Sequence, residues 1–110
     1  IVGRAKDLVI SGGYNVYPKE LERLIDEIPG IVESAVIGVP HRDFGEGVVA
    51  VIVPEGQDVE TDIVTTALEG RLARFKQPKR VLNVAELPRN TMGKVQKNLL
   101  RDQYQGLFED

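Results

Sequence analysis

The sequence contains no cysteine and a single histidine, which excludes two common kinds of site. Without thiols the chain can form no disulfide and offers no thiolate ligand to a metal. His41 alone cannot build a cluster of imidazole ligands, because metal sites of that kind need several such residues. The missing cysteines are compatible with a reducing compartment, and we expect a cytoplasmic protein.

Aromatic residues make up only 5% of the chain, and no apolar run approaches the roughly 20 residues of a membrane span. Few aromatics and a net charge of -3 also argue against nucleic-acid binding. We therefore expect neither a membrane nor a nucleic acid as a partner. A length of 110 residues, with 42% hydrophobic and 28% charged residues, suits one globular domain with a modest core.

Acidic residues are nearly missing between positions 71 and 101, where Glu86 stands beside nine lysines and arginines. Residues 1–70 show the reverse, with 13 acids and five bases. This asymmetry predicts an anionic ligand for the basic part. A solvated face rich in lysine and arginine is the alternative, and composition does not separate the two.

Apolar patterning predicts the strands. Residues 7–16 form two short extended runs around paired glycines, which indicates a β-hairpin. Residues 32–39 and 47–53 are β-branched and apolar, which predicts adjacent core strands joined by a polar loop over 40–46. Residues 80–84 predict a further strand.

Three helices are predicted around these strands. The first begins at Pro18, carries apolar residues at three- and four-residue spacing, and ends at Pro29-Gly30. The second begins with Thr61 as its N-cap. The third spans 96–104 and turns two residues inward, Leu99 and Leu100. The predicted fold class is therefore α+β, a small central sheet flanked by three helices with an N-terminal hairpin.

Residues 45–50 match the residue spacing of a glycine-rich dinucleotide-binding pattern. That pattern works only where a helix N-terminus follows it and receives the pyrophosphate. Here a β-branched strand follows, so the match does not indicate a dinucleotide site.

Three segments in order carry a family resemblance. They are Gly3-Arg4-Ala5-Lys6-Asp7 with its continuation from Ser11 to Glu22, Phe75-Lys76-Gln77-Pro78-Lys79, and Leu87-Pro88-Arg89-Asn90-Thr91-Met92-Gly93-Lys94-Val95-Gln96-Lys97. Together they resemble the C-terminal motifs of the adenylate-forming superfamily, which contains acyl-CoA synthetases, luciferases and the adenylation domains of peptide synthetases. The third segment and its continuation to Arg101 are most similar to malonyl-CoA synthetases.

The resemblance implies a division of the chain. Residues 1–6 would be the end of an interdomain linker, with Lys6 as the hinge, and residues 7–110 the C-terminal domain of a larger enzyme. The sequence opens on Ile1-Val2-Gly3-Arg4 without a methionine, so we expect a fragment whose partner is its own large N-terminal domain. We expect such a fragment to be inactive alone. A plain linker lysine is the alternative for Lys6.

The resemblance also implies a two-step reaction. A carboxylate attacks the α-phosphate of ATP to give an acyl-adenylate and pyrophosphate, and the thiol of CoA then displaces AMP. ATP, CoA and Mg²⁺ are the implied cofactors, bound mainly through the N-terminal domain. The implied substrate is a small carboxylic acid such as malonate.

Lys94 is the catalytic residue that the resemblance implies, as a flexible ammonium that approaches the α-phosphate during adenylation. Phosphoryl transfer depends on positioning and on stabilising charge at the transferring oxygens, which a lysine can do. The implied cofactor-binding residues contact the pantetheine arm, the adenine or the phosphates of CoA: Ser11, Gly12, Gly13, Phe44, Lys76 and Lys79. A simple hairpin turn at the glycines and core packing of Phe44 are the alternatives.

Other functions stay open at this point. The chain could belong to an adenylation domain that loads a carrier protein, or it could be a binding module without catalysis. An exposed Lys94 could also be the target of a protein lysine acetyltransferase, and acetylation would remove its charge.

Overall fold

The computed structural model describes residues 8–108, so the predicted linker and hinge, residues 1–6 with Lys6, lie outside the described residues. The elements follow one another as β1 (Val9–Ser11), β2 (Tyr14–Val16), α1 (Pro18–Ile25), β3 (Ile31–His41), β4 (Gly45–Pro54), α2 (Thr61–Leu68), a short 3-10 helix (Arg74–Lys76), β5 (Arg80–Asn83) and α3 (Lys97–Gln103). The α+β class and the N-terminal hairpin are confirmed.

One mixed sheet organises the domain. β3 and β4 pair antiparallel from Ile31 opposite Pro54 to His41 opposite Gly45, with one shift of register between Ile31 and Glu33. The other edge of β4 is shared by two strands, since β1 pairs with its first residue and β5 runs parallel to its middle. β2 extends the sheet beyond β1.

Both faces of the central strands are buried. On β4, Val48, Ala50 and Ile52 pack with α1 and α2 on one face. Their neighbours Val49, Val51 and Val53 pack on the opposite face, towards α3. A strand that is covered on both sides needs apolar residues at every position, which explains why 47–53 shows no polar alternation.

α1 begins at Pro18, where a proline costs no hydrogen bond because the first turn leaves its N–H groups unpaired. Its predicted apolar stripe is buried, namely Leu21, Leu24, Ile25 and Ile28. The helix ends at Ile25, however, four residues before the predicted stop. Glu27 and Ile28 donate to carbonyls three residues back, so the chain continues as tighter turns.

Two further boundary predictions and one predicted orientation were wrong. The loop predicted over 40–46 is shorter, because β3 extends to His41 and β4 begins at Gly45. Thr61 is the first helical residue of α2, while Glu60 holds the N-cap position without a side-chain cap. Leu99 faces outward at 49% exposure, because adjacent helical residues point about 100° apart and Leu100 takes the buried direction at 2%.

Gly38 in β3 offers a test of this packing. A Cβ added there would lie 2.8 Å from Cγ1 of Val9, which is itself 1% exposed. We expect Gly38→Ala to lower the free energy of unfolding by about 1–3 kcal/mol, the usual cost of overpacking a core. Urea denaturation measures it. Gly56→Ala is the control, since nothing lies within 4 Å of its added Cβ. Equal effects of the two substitutions would contradict the packing.

Candidate functional site

Four of the predicted CoA-binding residues lie around one surface pocket of about 490 Å³. It lies where the hairpin β1–β2 meets the start of β4. Its lining combines a small-residue turn, aromatic rings and two basic side chains: Ser11, Gly12, Tyr14, Phe44, Arg74, Phe75 and Lys79. We call it the hairpin pocket. Sequence reasoning had not singled out Tyr14, Arg74 or Phe75 as ligand contacts, although Arg74 belongs to the basic stretch and Phe75 to the second motif.

The hairpin pocket depends on a glycine at position 12. The N–H of Gly12 donates to the carbonyl of Phe44 at 2.9 Å, which ties the hairpin to the β3–β4 turn. Its φ of +60° is rarely adopted by residues with a side chain. An added Cβ would also lie 3.0 Å from Cδ1 of Phe44. The absent side chain therefore allows the aromatic ring to pack against the turn.

Lys79 covers the ring of Phe44. Its Nζ lies 3.9 Å from the ring centroid, a favourable cation–π distance. The backbone N–H of Lys79 donates to the carbonyl of Val48 at 2.7 Å, which holds this residue beside β4. A flat ring that stacked on the same face of Phe44 would have to displace the ammonium.

Lys76 is engaged in an ion pair, and its predicted role in CoA binding stays a prediction. Its Nζ forms an ion pair with Oε1 of Glu20 on α1 at 3.0 Å, with the lysine side chain 23% exposed. Lys76 does not line the hairpin pocket, and Gly13, although exposed, is not among the lining residues either. The two cations that do face the pocket are Arg74 and Lys79.

Lys94 lies on a tight turn between Arg89 and Val95, which form an isolated antiparallel bridge. Asn90 N donates to the carbonyl of Lys94 at 3.0 Å, and Gly93 N donates to the carbonyl of Asn90 at 2.9 Å. Gly93 has a φ of +82°. This combination is typical of a three-residue hairpin loop that ends in a left-handed glycine.

The Asn90 side chain reinforces this turn. Its Oδ1 accepts hydrogen bonds from the N–H groups of Met92 at 2.9 Å and of Lys94 at 3.0 Å. The backbone that carries Lys94 is therefore held by a hydrogen-bond network, and only the exposed side chain is free to move. Within residues 8–108, no ion pair or hydrogen bond involves its ammonium, which can thus meet an anionic ligand without first breaking a contact.

The Lys94 turn and the hairpin pocket lie at opposite ends of β3. Arg89 joins the turn to Glu33, near the beginning of that strand. The pocket adjoins the turn that follows its last residue, His41. Glu33 and His41 are eight residue steps apart along this extended strand, which corresponds to about 26 Å. The structure thus gathers Ser11, Gly12, Phe44 and Lys79 in one place, and Lys94 in another.

Among the residues that the structure describes, no three His, Asp or Glu side chains are grouped so that they could hold a metal ion. The helices of the same part of the chain are all too short or too polar to cross a membrane.

Residues 20–94 of this chain match the sequence family of AMP-binding enzyme C-terminal domains. The chain belongs to this family. Both the catalytic lysine of the sequence prediction and most of the hairpin pocket fall within the matched segment.

Relatives extend this result. Over 100 residues the domain is 50% identical to an indoleacetate–CoA ligase of Aromatoleum aromaticum, covering 90% of the chain and 20% of the ligase. It is 44% identical over 104 residues to the long-chain-fatty-acid–CoA ligase FadD13 of Mycobacterium tuberculosis, covering 94% and 21%. The crystal structure of apo MatB from Rhodopseudomonas palustris matches at a TM-score of 0.92 and 61% identity, covering 99% and 22%. The domain thus spans about a fifth of the length of these relatives.

The hydrogen bonds of Asn90 can be tested directly on this AMP-binding enzyme C-terminal domain. Asn90→Ala removes the acceptor of two amides, so we expect hydrogen exchange at Met92 and Lys94 to accelerate by about 2- to 10-fold, in line with a net 0.5–1.5 kcal/mol per hydrogen bond. Amide exchange followed by NMR measures this. Asn90→Asp keeps an acceptor oxygen and is the matched control. Unchanged exchange in the alanine variant would show that the side chain does not hold the turn.

Proposed function

We propose that this domain is the C-terminal part of an ATP-dependent acyl-CoA synthetase. The full-length enzyme would convert a carboxylic acid, ATP and CoA into acyl-CoA, AMP and pyrophosphate through an acyl-adenylate. One observation carries the proposal. A single small domain presents an exposed lysine on a hydrogen-bonded turn near the start of β3 and, near the end of β3, a pocket of glycine, aromatic and basic residues. Family membership and the CoA-ligase relatives support it.

In the first step, we assign Lys94 to the α-phosphate and the attacking carboxylate. Both groups are anionic, so a cation that touches them both lowers their repulsion and stabilises the charge on the oxygens of the transition state. The ammonium is exposed, and its backbone is fixed by Asn90. Catalysis of this kind needs a positioned charge and no change in the protonation of the lysine.

In the second step, we assign the hairpin pocket to CoA. Beside Gly13 nothing lies within 4 Å of an added Cβ, which leaves room along the turn for the thin pantetheine arm. Arg74 and Lys79 supply positive charge for the phosphates, and Phe44 and Phe75 supply aromatic surface for the adenine. Lys79 would leave the face of Phe44 as it binds phosphate, which opens that face to the base. Lys76, paired with Glu20, would act on the phosphates only through its longer-range field.

The separation of the two surfaces implies a reorientation between the steps. Lys94 and the hairpin pocket lie near opposite ends of β3, where Glu33 and His41 are about 26 Å apart, so we infer that they approach the reacting groups one after the other. We therefore propose that the domain turns between adenylation and thioester formation, with Lys6 as the hinge. The large N-terminal domain would bind the acid and most of ATP together with Mg²⁺, and we derive no step through that ion.

We propose malonate or a similarly small acid as the substrate, on the resemblance of residues 87–101 to malonyl-CoA synthetases. The relatives named for indoleacetate and for long-chain fatty acids share this domain at 50% and 44% identity. A domain that is shared by ligases of such different acids does not itself select the acid. An ATP–pyrophosphate exchange screen of the full-length enzyme over small acids would identify it.

An enzyme that loads a carrier protein would differ from an acyl-CoA synthetase in the acceptor of the acyl group. A carrier protein presents phosphopantetheine, which keeps one phosphate but lacks the adenosine and its phosphates, so Arg74 and Lys79 would have fewer phosphate partners there. These two cations favour CoA. We also retain, as parts of the proposal, a cytoplasmic location and the control of Lys94 by a lysine acetyltransferase, which would remove its charge.

Lys94→Ala tests the first assignment. In the full-length enzyme we expect acyl-adenylate formation to slow by about 10² to 10³-fold, the usual scale for loss of one electrostatic contact to a transition state. Thioester formation from a supplied acyl-adenylate should change little. Single-turnover assays separate the two steps, and Lys19→Ala, at an exposed position on α1, is the matched control. Equal losses in both steps would contradict the role.

Lys79→Met tests the second assignment. We expect the KM for CoA to rise by about 10-fold or more, because a charge-assisted hydrogen bond to phosphate contributes about 1.5–3 kcal/mol. Adenylation should be unaffected. With pantetheine as the acceptor, which lacks the nucleotide phosphates, the variant and wild type should react alike. Lys19→Met is the control, and a loss of the same size with pantetheine would place Lys79 outside the phosphate site.

A further inference from the structure

We propose that Arg89 is a positioning residue for Lys94, acting through the carbonyl of Gly93 and anchored by Glu33. The inference rests on the proposed role of Lys94 in adenylation and adds a residue to that role. The turn that carries Lys94 is exposed, whereas the proposed chemistry requires the lysine to approach an anion from a defined direction.

The guanidinium of Arg89 has two partners in two different parts of the domain. Its Nη1 donates to the carbonyl oxygen of Gly93 at 2.8 Å. Its Nη2 forms an ion pair with Oε1 of Glu33 on β3. One planar group thus connects the turn to the sheet. A lysine at this position could not supply the same fixed fork of donors.

The carbonyl of Gly93 belongs to the peptide unit that leads into Lys94. A peptide unit is planar, so fixing its oxygen and its N–H fixes the plane from which the Cα of Lys94 departs. Arg89 holds the oxygen, and Oδ1 of Asn90 holds the N–H at 3.0 Å. Without these bonds, Gly93 would allow the plane to rotate, since glycine tolerates more backbone angles than any other residue.

Glu33 is a stationary anchor. It lies in β3, where it is paired with Val53 of the central strand β4. Its side chain is 31% exposed, so the ion pair excludes part of the solvent without a full desolvation cost. The direction of Lys94 is thereby set relative to the central pair of strands, β3 and β4. A misplacement by about 1 Å can cost about 100-fold in rate.

The test uses the full-length enzyme and three variants, Arg89→Met, Glu33→Gln and the exchanged pair Glu33→Arg/Arg89→Glu. We expect Arg89→Met to lower the rate constant of adenylation by about 10- to 100-fold. The KM for ATP and thioester formation from a supplied acyl-adenylate should stay within about 2-fold of wild type. Glu33→Gln keeps the bond to the Gly93 carbonyl and should lose less.

The exchanged pair separates positioning from stability. It restores an ion pair between β3 and the turn, so the melting temperature should return towards that of wild type. A carboxylate at position 89 cannot donate to the Gly93 carbonyl, so adenylation should remain as slow as in Arg89→Met. Recovery of adenylation together with stability would overturn the proposal, and so would an equal loss in both half-reactions of Arg89→Met.

Lys94→Ala, measured in parallel, distinguishes this inference from the function on which it rests. If Lys94→Ala leaves adenylation intact, the proposed role of the lysine fails and takes the positioning role with it. If Lys94→Ala slows adenylation while Arg89→Met does not, only the role of Arg89 fails. Slow adenylation in both variants, with thioester formation preserved, is the expected result.

Discussion

The antiparallel pairing of β3 with β4 is the interaction on which the rest of the structure depends. Its register runs from Ile31 opposite Pro54 to His41 opposite Gly45, and helices cover both faces. Because close-packed side chains cover the ribbon on both sides, a slip in register would place side chains of the wrong size in both cores and is strongly disfavoured. Its two ends are therefore fixed points. One end holds Glu33, which anchors the Lys94 turn, and the other carries the turn with Phe44.

A single carboxylate on α1 attaches the neighbouring elements to this ribbon. Oε2 of Glu22 accepts the N–H of Val36 on the open edge of β3 at 2.8 Å and pairs with Nζ of Lys97, the first residue of α3, at 2.6 Å. The glutamate and lysine side chains are only 16% and 18% exposed. A mostly buried pair is tolerated where further hydrogen bonds satisfy its charges, as the bond to Val36 does here. The contact also blocks part of an edge that could pair with another chain.

Local sequence patterns were enough to predict the helices and strands, but not which distant residues would pair with one another. The stripe of α1 and the apolar run of β4 are properties of neighbouring residues, so their burial could be predicted. The family resemblance selected Gly12, Phe44 and Lys79, which the structure brings together, although their functional roles remain predictions. Lys76 was assigned to phosphate on its charge and on the family resemblance, and its ion pair with Glu20, 56 positions away, was not predicted. No local periodicity encodes such a pairing, and the same holds for Arg89 with Glu33.

The position of the two surfaces near opposite ends of one ribbon also limits how the domain could serve the two reactions proposed for it. Moving Lys94 and the hairpin pocket relative to each other would require breaking the contacts that attach them to β3 and β4 or deforming the packed faces, and close-packed interiors do not deform continuously. Rotation about a few dihedral angles in a linker breaks none of these contacts. If both surfaces serve one active centre, the whole domain must therefore move as a unit. In that case each surface keeps its position on the ribbon while the domain moves. The contacts that hold it are Gly12 with Phe44 at one end and Arg89 with Glu33 at the other.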